Sequence, residues 1–262
     1  MRTSSQTKHA NISAACNSVD FSCVITAHEE GSLIVPTLRS ISLARRYSAE
    51  RGISSETIVV LDNSDEETTS IIYSLSEHCS IDRIIEVCNK DAGLSRNDGI
   101  AISKGRFIAI QDGDDLVSEN WFYAAFDRLD ANPLFVAHPE WNIVFGAEAC
   151  VFQHPNEANE DFSYDNLLIE NYWTALLFAE KGVFSATPYQ KTGQYSAFGY
   201  EDWHWNLEVI SKGIKHQTIP GTCHFIRRKK SKSVNSSGNT RGVICRPSKF
   251  YDQIELFGKD RS

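Results

Sequence analysis

Short apolar runs alternate with polar stretches of helical period through the first half of the chain. Phe21 to Thr26 is a compact apolar strand, followed by a helical pattern over about 33–51. Thr57 to Leu61 is a second strand, and Val59, Val60 and Leu61 are continuous rather than alternating, as in a strand covered on both faces. A helix over about 65–78, a short strand near 83–87, a helix over 92–103 and a strand over 106–111 complete the half. This β-α-β-α-β-α-β order predicts an α/β layered domain with a largely parallel sheet.

The second half is less regular. Residues 118–129 read as a helix with Ser118 as N-cap, and shorter strands follow over 142–145 and 149–152. His154 to Asp165 is polar and aperiodic, a long loop, whereas Asn171 to Val183 returns to the core. Tyr200 to Lys212 reads as a helix opening with Glu201 and Asp202. Arg227 to Gly238 is basic and Ser-rich, with the character of a mobile loop. Apolar residues recur at helical spacing in Phe250 to Phe257, a segment that either pairs with a second copy or docks on its own domain.

Composition narrows the class. A formal charge of −8 argues against general nucleic-acid affinity, which needs a surplus of Lys and Arg. The seven cysteines (16, 23, 79, 88, 150, 223 and 245) form no Cys-x-x-Cys pair, so neither a zinc site nor a disulfide framework is expected. No apolar stretch is long enough to span a bilayer. The first 18 residues lack the apolar centre of a signal peptide, so residues 1–19 read as a loose extension and the protein as cytoplasmic.

Candidate chemistry collects where the strands end. The apolar run to Ile110 stops in Gln111-Asp112-Gly113-Asp114-Asp115, three carboxylates in four positions. Such crowding is costly unless a cation or ligand compensates it. Magnesium or manganese with substrate phosphates is one solution, and a capped acidic turn is the other. Ala27-His28-Glu29-Glu30 and Asp62-Asn63-Ser64 lie at equivalent strand ends, where parallel sheets bind ligands. Asp62 suits either a base imide or the cap of the next helix. Arg96 sits on the helix over 92–103, whose periodicity turns Leu94 and Ile100 inward; its guanidinium suits an ion pair or a diphosphate. Glu201 and Asp202 suit the helix dipole as well as acid–base work. Trp203 and Trp205 fall on different helix faces, so one of them lies near the surface, where an indole can stack on a sugar.

Taken in order, Val24-Ile25-Thr26-Ala27-His28-Glu29-Glu30, Val59-Val60-Leu61-Asp62-Asn63-Ser64, Gly93-Leu94-Ser95-Arg96-Asn97-Asp98-Gly99-Ile100 and Asp112-Gly113-Asp114-Asp115 resemble family 2 glycosyltransferases. Tyr200-Glu201-Asp202-Trp203-His204-Trp205 looks like that family's Glu-Asp motif, and His224-Phe225-Ile226-Arg227 its His-x-x-Arg segment. The resemblance, over roughly 20–235, implies a GT-A-type, Rossmann-like single α/β domain with a mixed, mostly parallel sheet flanked by helices. Its catalytic domain would span 20–226, with a nucleotide-binding half over 20–115, an acceptor half over 116–226, and a basic loop and C-terminal segment over 227–262.

The resemblance further implies an inverting transferase that moves a sugar from a nucleotide-sugar donor to a glycan or glycolipid acceptor, with Mn²⁺ or Mg²⁺, in surface polysaccharide or glycoconjugate biosynthesis of the bacterial type. Ala27, His28 and Glu29 would line the base and ribose pocket, with Asp62 on the base, Arg96 on the base or diphosphate and Asn89 beside it. Asp112 would reach the ribose, Asp114 the metal, and Asp202 would be the general base. His224 would be a metal or diphosphate ligand, while Asp115, Glu201, Trp203 and Arg227 are secondary candidates. Peripheral contact at the inner face of a membrane and a homodimer stay compatible with it. Ala27-His28-Glu29 departs from the family's usual Pro-x-Tyr-Asn, which leaves the choice of nucleotide open. The competing classes are a nucleotidyltransferase or pyrophosphorylase of sugar phosphates and an inactive nucleotide-sugar- or glycan-binding protein.

Overall fold

The computed structural model describes residues 19–192, 197–229 and 243–257. The N-terminal extension and most of the Ser-rich basic segment lie outside those residues. The first half follows the expected alternation. β1 (Val19–Ala27), α1 (Ile34–Ala49), β2 (Ser55–Asp62), α2 (Glu66–Leu75), β3 (Arg83–Val87), α3 (Ala92–Ile102) and β4 (Gly105–Asp112) build a parallel sheet in the order β3-β2-β1-β4.

The second half extends the same sheet. Its elements are β5 (Leu116–Val117), α4 (Trp121–Ala131), β6 (Phe135–Gly146), β7 (Cys150–Gln153), β8 (Leu177–Glu180), α5 (Lys181–Ala186), β9 (Phe198–Gly199), α6 (Glu201–Ile210), β10 (Lys215–Arg228), β11 (Ile244–Cys245) and α7 (Lys249–Phe257). β8 runs antiparallel to both β4 and β6, β10 is parallel to β6, and β5 closes the far edge antiparallel to β10. The result is one α/β domain with a mixed, mostly parallel central sheet between helices.

Alternate residues of β1 explain its unbroken apolar run. Phe21, Cys23 and Ile25 pack with α1, α4 and Phe178 on one face. Val24 faces the other side, among Val60, Ile108, Tyr189 and Trp205. Both faces are dry, so no polar alternation survives. A third cluster joins Phe162, Leu167, Trp173, Leu207 and Phe250. Through it α7 docks on α6, helped by the Ser248 hydroxyl and the Lys249 amide donating to Glu208. The C-terminal segment thus docks on its own domain.

Three local expectations change. Ser118 is not the N-cap of α4; Asn120 holds that position. The Ser118 hydroxyl instead accepts from Cys223 N, and Ser118 N donates to Cys223 O, so the residue ties the chain to β10. β6 begins at Phe135 rather than Asn142, because its first five residues are buried between β8 and β10. Leu94 is only half-buried, and the buried positions of α3 are Gly93, Ser95, Arg96, Gly99 and Ile100. Apolar periodicity places Ile100 correctly but misses the rest of the packing face, which is glycine, serine and arginine.

Gly99 shows why. A Cβ there would stand 2.4 Å from Val24 Cγ1 and 2.9 Å from Val60 Cγ2, so α3 packs directly on the valine side chains of β1 and β2. We expect Gly99→Ala to destabilise the fold by about 1–3 kcal/mol through overpacking. Urea unfolding should show this as a lower midpoint at unchanged slope.

Candidate active site

The ends of β1, β2, β3 and β4 share one edge of the sheet, and the acidic cluster stands there. The Gln111 side-chain amide donates to the carbonyls of Asp112 and Asp115, folding the loop back on its strand. Gly113 must be small, since a Cβ would lie 2.9 Å from the Thr26 carbonyl oxygen and 3.1 Å from Ile34 Cδ1. The three carboxylates then diverge. Asp112 meets Arg96, Asp114 meets Lys229 at 2.7 Å, and Asp115 turns inward to His224 at 3.0 Å. Asp114 keeps its carboxyl above the usual carboxylate range, chiefly through burial and then through Asp115, with Lys229 opposing.

Arg96 links the two halves of the chain. Its guanidinium is 2 % exposed and bonds Asp112 Oδ1 at 2.9 Å and Glu201 Oε1 at 2.8 Å. Burial alone would weaken its charge, but the two carboxylates hold it firmly protonated. The ring of Tyr189 lies 5.4 Å from the guanidinium carbon. Tyr200 precedes α6 in the left-handed region at φ 55°, and this swings Glu201 onto Arg96. Asp202 is half-buried and accepts from Asn171 Nδ2 at 3.1 Å and from Trp203 N at 2.8 Å. Burial, then the Glu201 carboxylate, pushes its carboxyl up to about 7. Trp203 is also half-buried and donates its indole N–H to Leu167 O, whereas Trp205 is in the core.

The Asp62 end of β2 is more constrained than its sequence suggests. Asp62 is buried, and its carboxylate accepts the backbone N–H groups of Asn89, Lys90 and Asp91. Asp65, not Asp62, caps α2, through Thr68 N at 2.9 Å. Asp91 caps α3 by accepting Leu94 N, and its other oxygen takes both the amide and the hydroxyl of Thr192. Asn89 does not bond Arg96; its side-chain amide donates to Ser95 and Asp98. Ala27 is buried, and its carbonyl accepts the Ser64 hydroxyl. His28 and Glu29 are exposed beside it, and His28 Nδ1 lies 2.7 Å from Asp62 O.

His224 is sealed in. Its Nε2 lies 3.0 Å from Asp115 Oδ2 and its Nδ1 3.1 Å from the Thr174 hydroxyl. Arg227 anchors the same loop, with its N on Asp115 Oδ1, its Nε on Asp114 O and its guanidinium over Phe145. Behind His224 lies a layer no motif announced. His216 stacks on Trp173 at 4.3 Å and bonds His138 at 2.9 Å, and His154 Nδ1 sits 2.8 Å from Pro139 O. Burial holds all three rings neutral, His154 and His216 being pushed down to about 3.

Among the described residues no three His, Cys, Asp or Glu side chains converge as a ready-made metal centre. A divalent ion that keeps its waters and bonds one or two carboxylates plus substrate phosphates needs no such trio. Asp114 fits that demand, as a partly exposed carboxylate crowded by other negative charge. Both nitrogens of His224 are already engaged. Sequence reasoning passed over Asn171, Thr174 and Tyr189, since loop residues with long-range partners leave no periodic signal. Asp91 could have been found, as an Asp immediately before a Gly- and Ser-bearing helix start.

The family model for Glycosyl transferase family 2 matches residues 22–233. A succinoglycan biosynthesis protein, ExoO of Rhizobium meliloti (strain 1021), is 27% identical over 129 residues, covering 48% of this chain and 34% of that relative. TarS residues 1–349 of S. aureus, solved in complex with UDP-GlcNAc, superposes with a TM-score of 0.63 at 13% identity, over 91% of this chain and 65% of that one. The longer TarS structure gives the same TM-score at 14% identity, with 80% and 37% covered. The chain thus spans about a third of the curated relative, and its likeness to TarS is a likeness of fold.

Two outcomes test the site's physics. Arg96→Met should cost about 1–3 kcal/mol in urea unfolding, because it takes the cation from the part-buried Glu201 carboxylate and from the more exposed Asp112. The buried imidazoles bind no proton in the folded state above about pH 3, whereas unfolded ones do so below about 6.5. Stability should therefore fall as pH drops below 6.5, by up to about 1.4 kcal/mol per pH unit for each such ring. In the folded protein the His154 and His216 ring proton shifts should stay flat between pH 7 and 5.

Proposed function

The chain belongs to glycosyl transferase family 2, and on that footing we propose that it is an inverting transferase taking a sugar from a nucleotide-sugar donor to a hydroxyl of a growing glycan or glycolipid. The observation that carries this reading is the Arg96 bridge, which draws the Glu201–Asp202 turn of α6 to the Asp112 end of β4. A carboxyl near pH 7 and a cation-lined acidic loop then share one edge of the sheet. Uridine nucleotides are the donors to try first, since the TarS structures carry UDP-GlcNAc and UDP. The match to ExoO supports a place in polysaccharide assembly.

In this scheme the diphosphate lies over the Asp112–Asp115 loop, where Arg96 and Arg227 are the nearest guanidinium groups. Asp114 would hold a Mn²⁺ or Mg²⁺ ion, which when bound supplies Lewis-acid stabilisation of the leaving phosphate. Asp202 takes the proton of the acceptor hydroxyl as its oxygen attacks the anomeric carbon. The bond from that carbon to the diphosphate breaks, and the nucleoside diphosphate leaves with the electron pair. A single displacement inverts the anomeric centre. His224 and Thr174 act at one remove, by fixing Asp115 and through it the loop. Asp62 shapes the base pocket by holding the Asn89–Asp91 turn.

Asp202→Asn should leave UDP binding within about twofold, read by calorimetry, and lower transfer by on the order of 10²–10⁴. A base must be deprotonated to work, so kcat should rise with pH up to about 7 and then level off. Near-wild-type transfer by Asp202→Asn, or a rate flat from pH 5 to 8, would overturn the assignment. Chelation should weaken UDP binding; unchanged binding would remove Asp114 from the metal role.

A further inference from the structure

Lys229 stands where the chain leaves β10, with its Nζ 2.7 Å from Asp114 Oδ2 and both side chains about four-fifths buried, 22% and 21% exposed. Arg227 pins that strand end to the same loop, from its backbone to Asp115 and from its side chain to the Asp114 carbonyl. On the other side Glu30 closes in. A Cβ on Gly113 would lie 3.3 Å from Glu30 Cδ, and both Asp114 and Lys229 act on the Glu30 carboxyl, which burial already holds above its usual range. The acidic loop thus carries its own counterion, tethered through the backbone.

A divalent ion at Asp114 and the ammonium of Lys229 ask for the same carboxylate. Held together there they would repel each other, strongly so at reduced dielectric. Lysine has a compact charge on a flexible stem, so it can leave Asp114 without moving β10, provided another anion receives it. A diphosphate is such an anion.

We propose that Lys229 is a built-in competitor for the cation position on Asp114, and that a nucleoside diphosphate releases it, so that metal and nucleotide enter as a pair. The proposal rests on Asp114 as the metal carboxylate. It makes Lys229 a diphosphate ligand in the loaded state and a stand-in cation in the empty one. Linkage then requires the nucleotide to tighten the metal as much as the metal tightens the nucleotide.

The test needs no turnover. Mn²⁺ is titrated into the whole protein with and without UDP, following the free-ion paramagnetic resonance signal. Wild type should bind Mn²⁺ weakly alone and much more tightly with UDP. Lys229→Gln should bind Mn²⁺ alone on the order of tenfold more tightly, with the gain from UDP reduced correspondingly. Lys229→Arg, which keeps a tethered cation, should resemble wild type. If Lys229→Gln binds Mn²⁺ as wild type does while Asp114→Asn abolishes binding, the competition is overturned and the metal reading stands. If Asp114→Asn still binds Mn²⁺ with UDP as tightly as wild type, both are overturned.

Discussion

One buried guanidinium sets the terms for the site. Arg96 accepts an almost complete loss of water because two carboxylates meet it, one 16 residues away and one 105 residues away along the chain. Removing either leaves Arg96 with only one counterion, in a place where an unpaired charge would cost several kcal/mol. The rest of the architecture can be read as what that arrangement demands. Gly93 and Gly99 let α3 approach the sheet and neighbouring segments, and Asp91 caps the helix so that Arg96 emerges at the right height. The left-handed turn at Tyr200 aims Glu201 back at it. Buried ion pairs are weak sources of stability, but they tolerate few alternative geometries. Here that selectivity fixes the distance between two parts of the chain that no strand connects directly.

Much of this was legible before any coordinates. The β-α order, the dry parallel strands and the acidic strand end follow from apolar runs and their abrupt termination. These are local properties, and local properties survive in a sequence. What could not be read were partners. Asp112, Asp114 and Asp115 look alike in a row, yet each faces a different cation or ring brought in from elsewhere. Of the two residues that periodicity turns inward on α3, Ile100 is buried and Leu94 is not, because the glycine, serine and arginine that fill the rest of the face carry no apolar signal. Ser118 looked like a cap, because the strand it ties to lies more than a hundred residues on.

β10 shows how such partners are delivered. Over 14 residues it runs from the histidine layer at His216, past His224, to Arg227 on the acidic loop. Burial keeps the His216 imidazole neutral, while Arg227 near the other end holds the acidic loop.

Asp62 has a consequence for whatever binds beside it. Three backbone amides converge on its carboxylate, two on Oδ1 and one on Oδ2. A carboxylate oxygen has room for about two donors. One lone pair on one oxygen is therefore left, and its direction is dictated by the turn that uses up the others. Any further donor must arrive along that single bearing, within the angular tolerance of one hydrogen bond. The residue that looks most like a general-purpose acceptor is, once folded, a one-slot gauge of where a donor group sits.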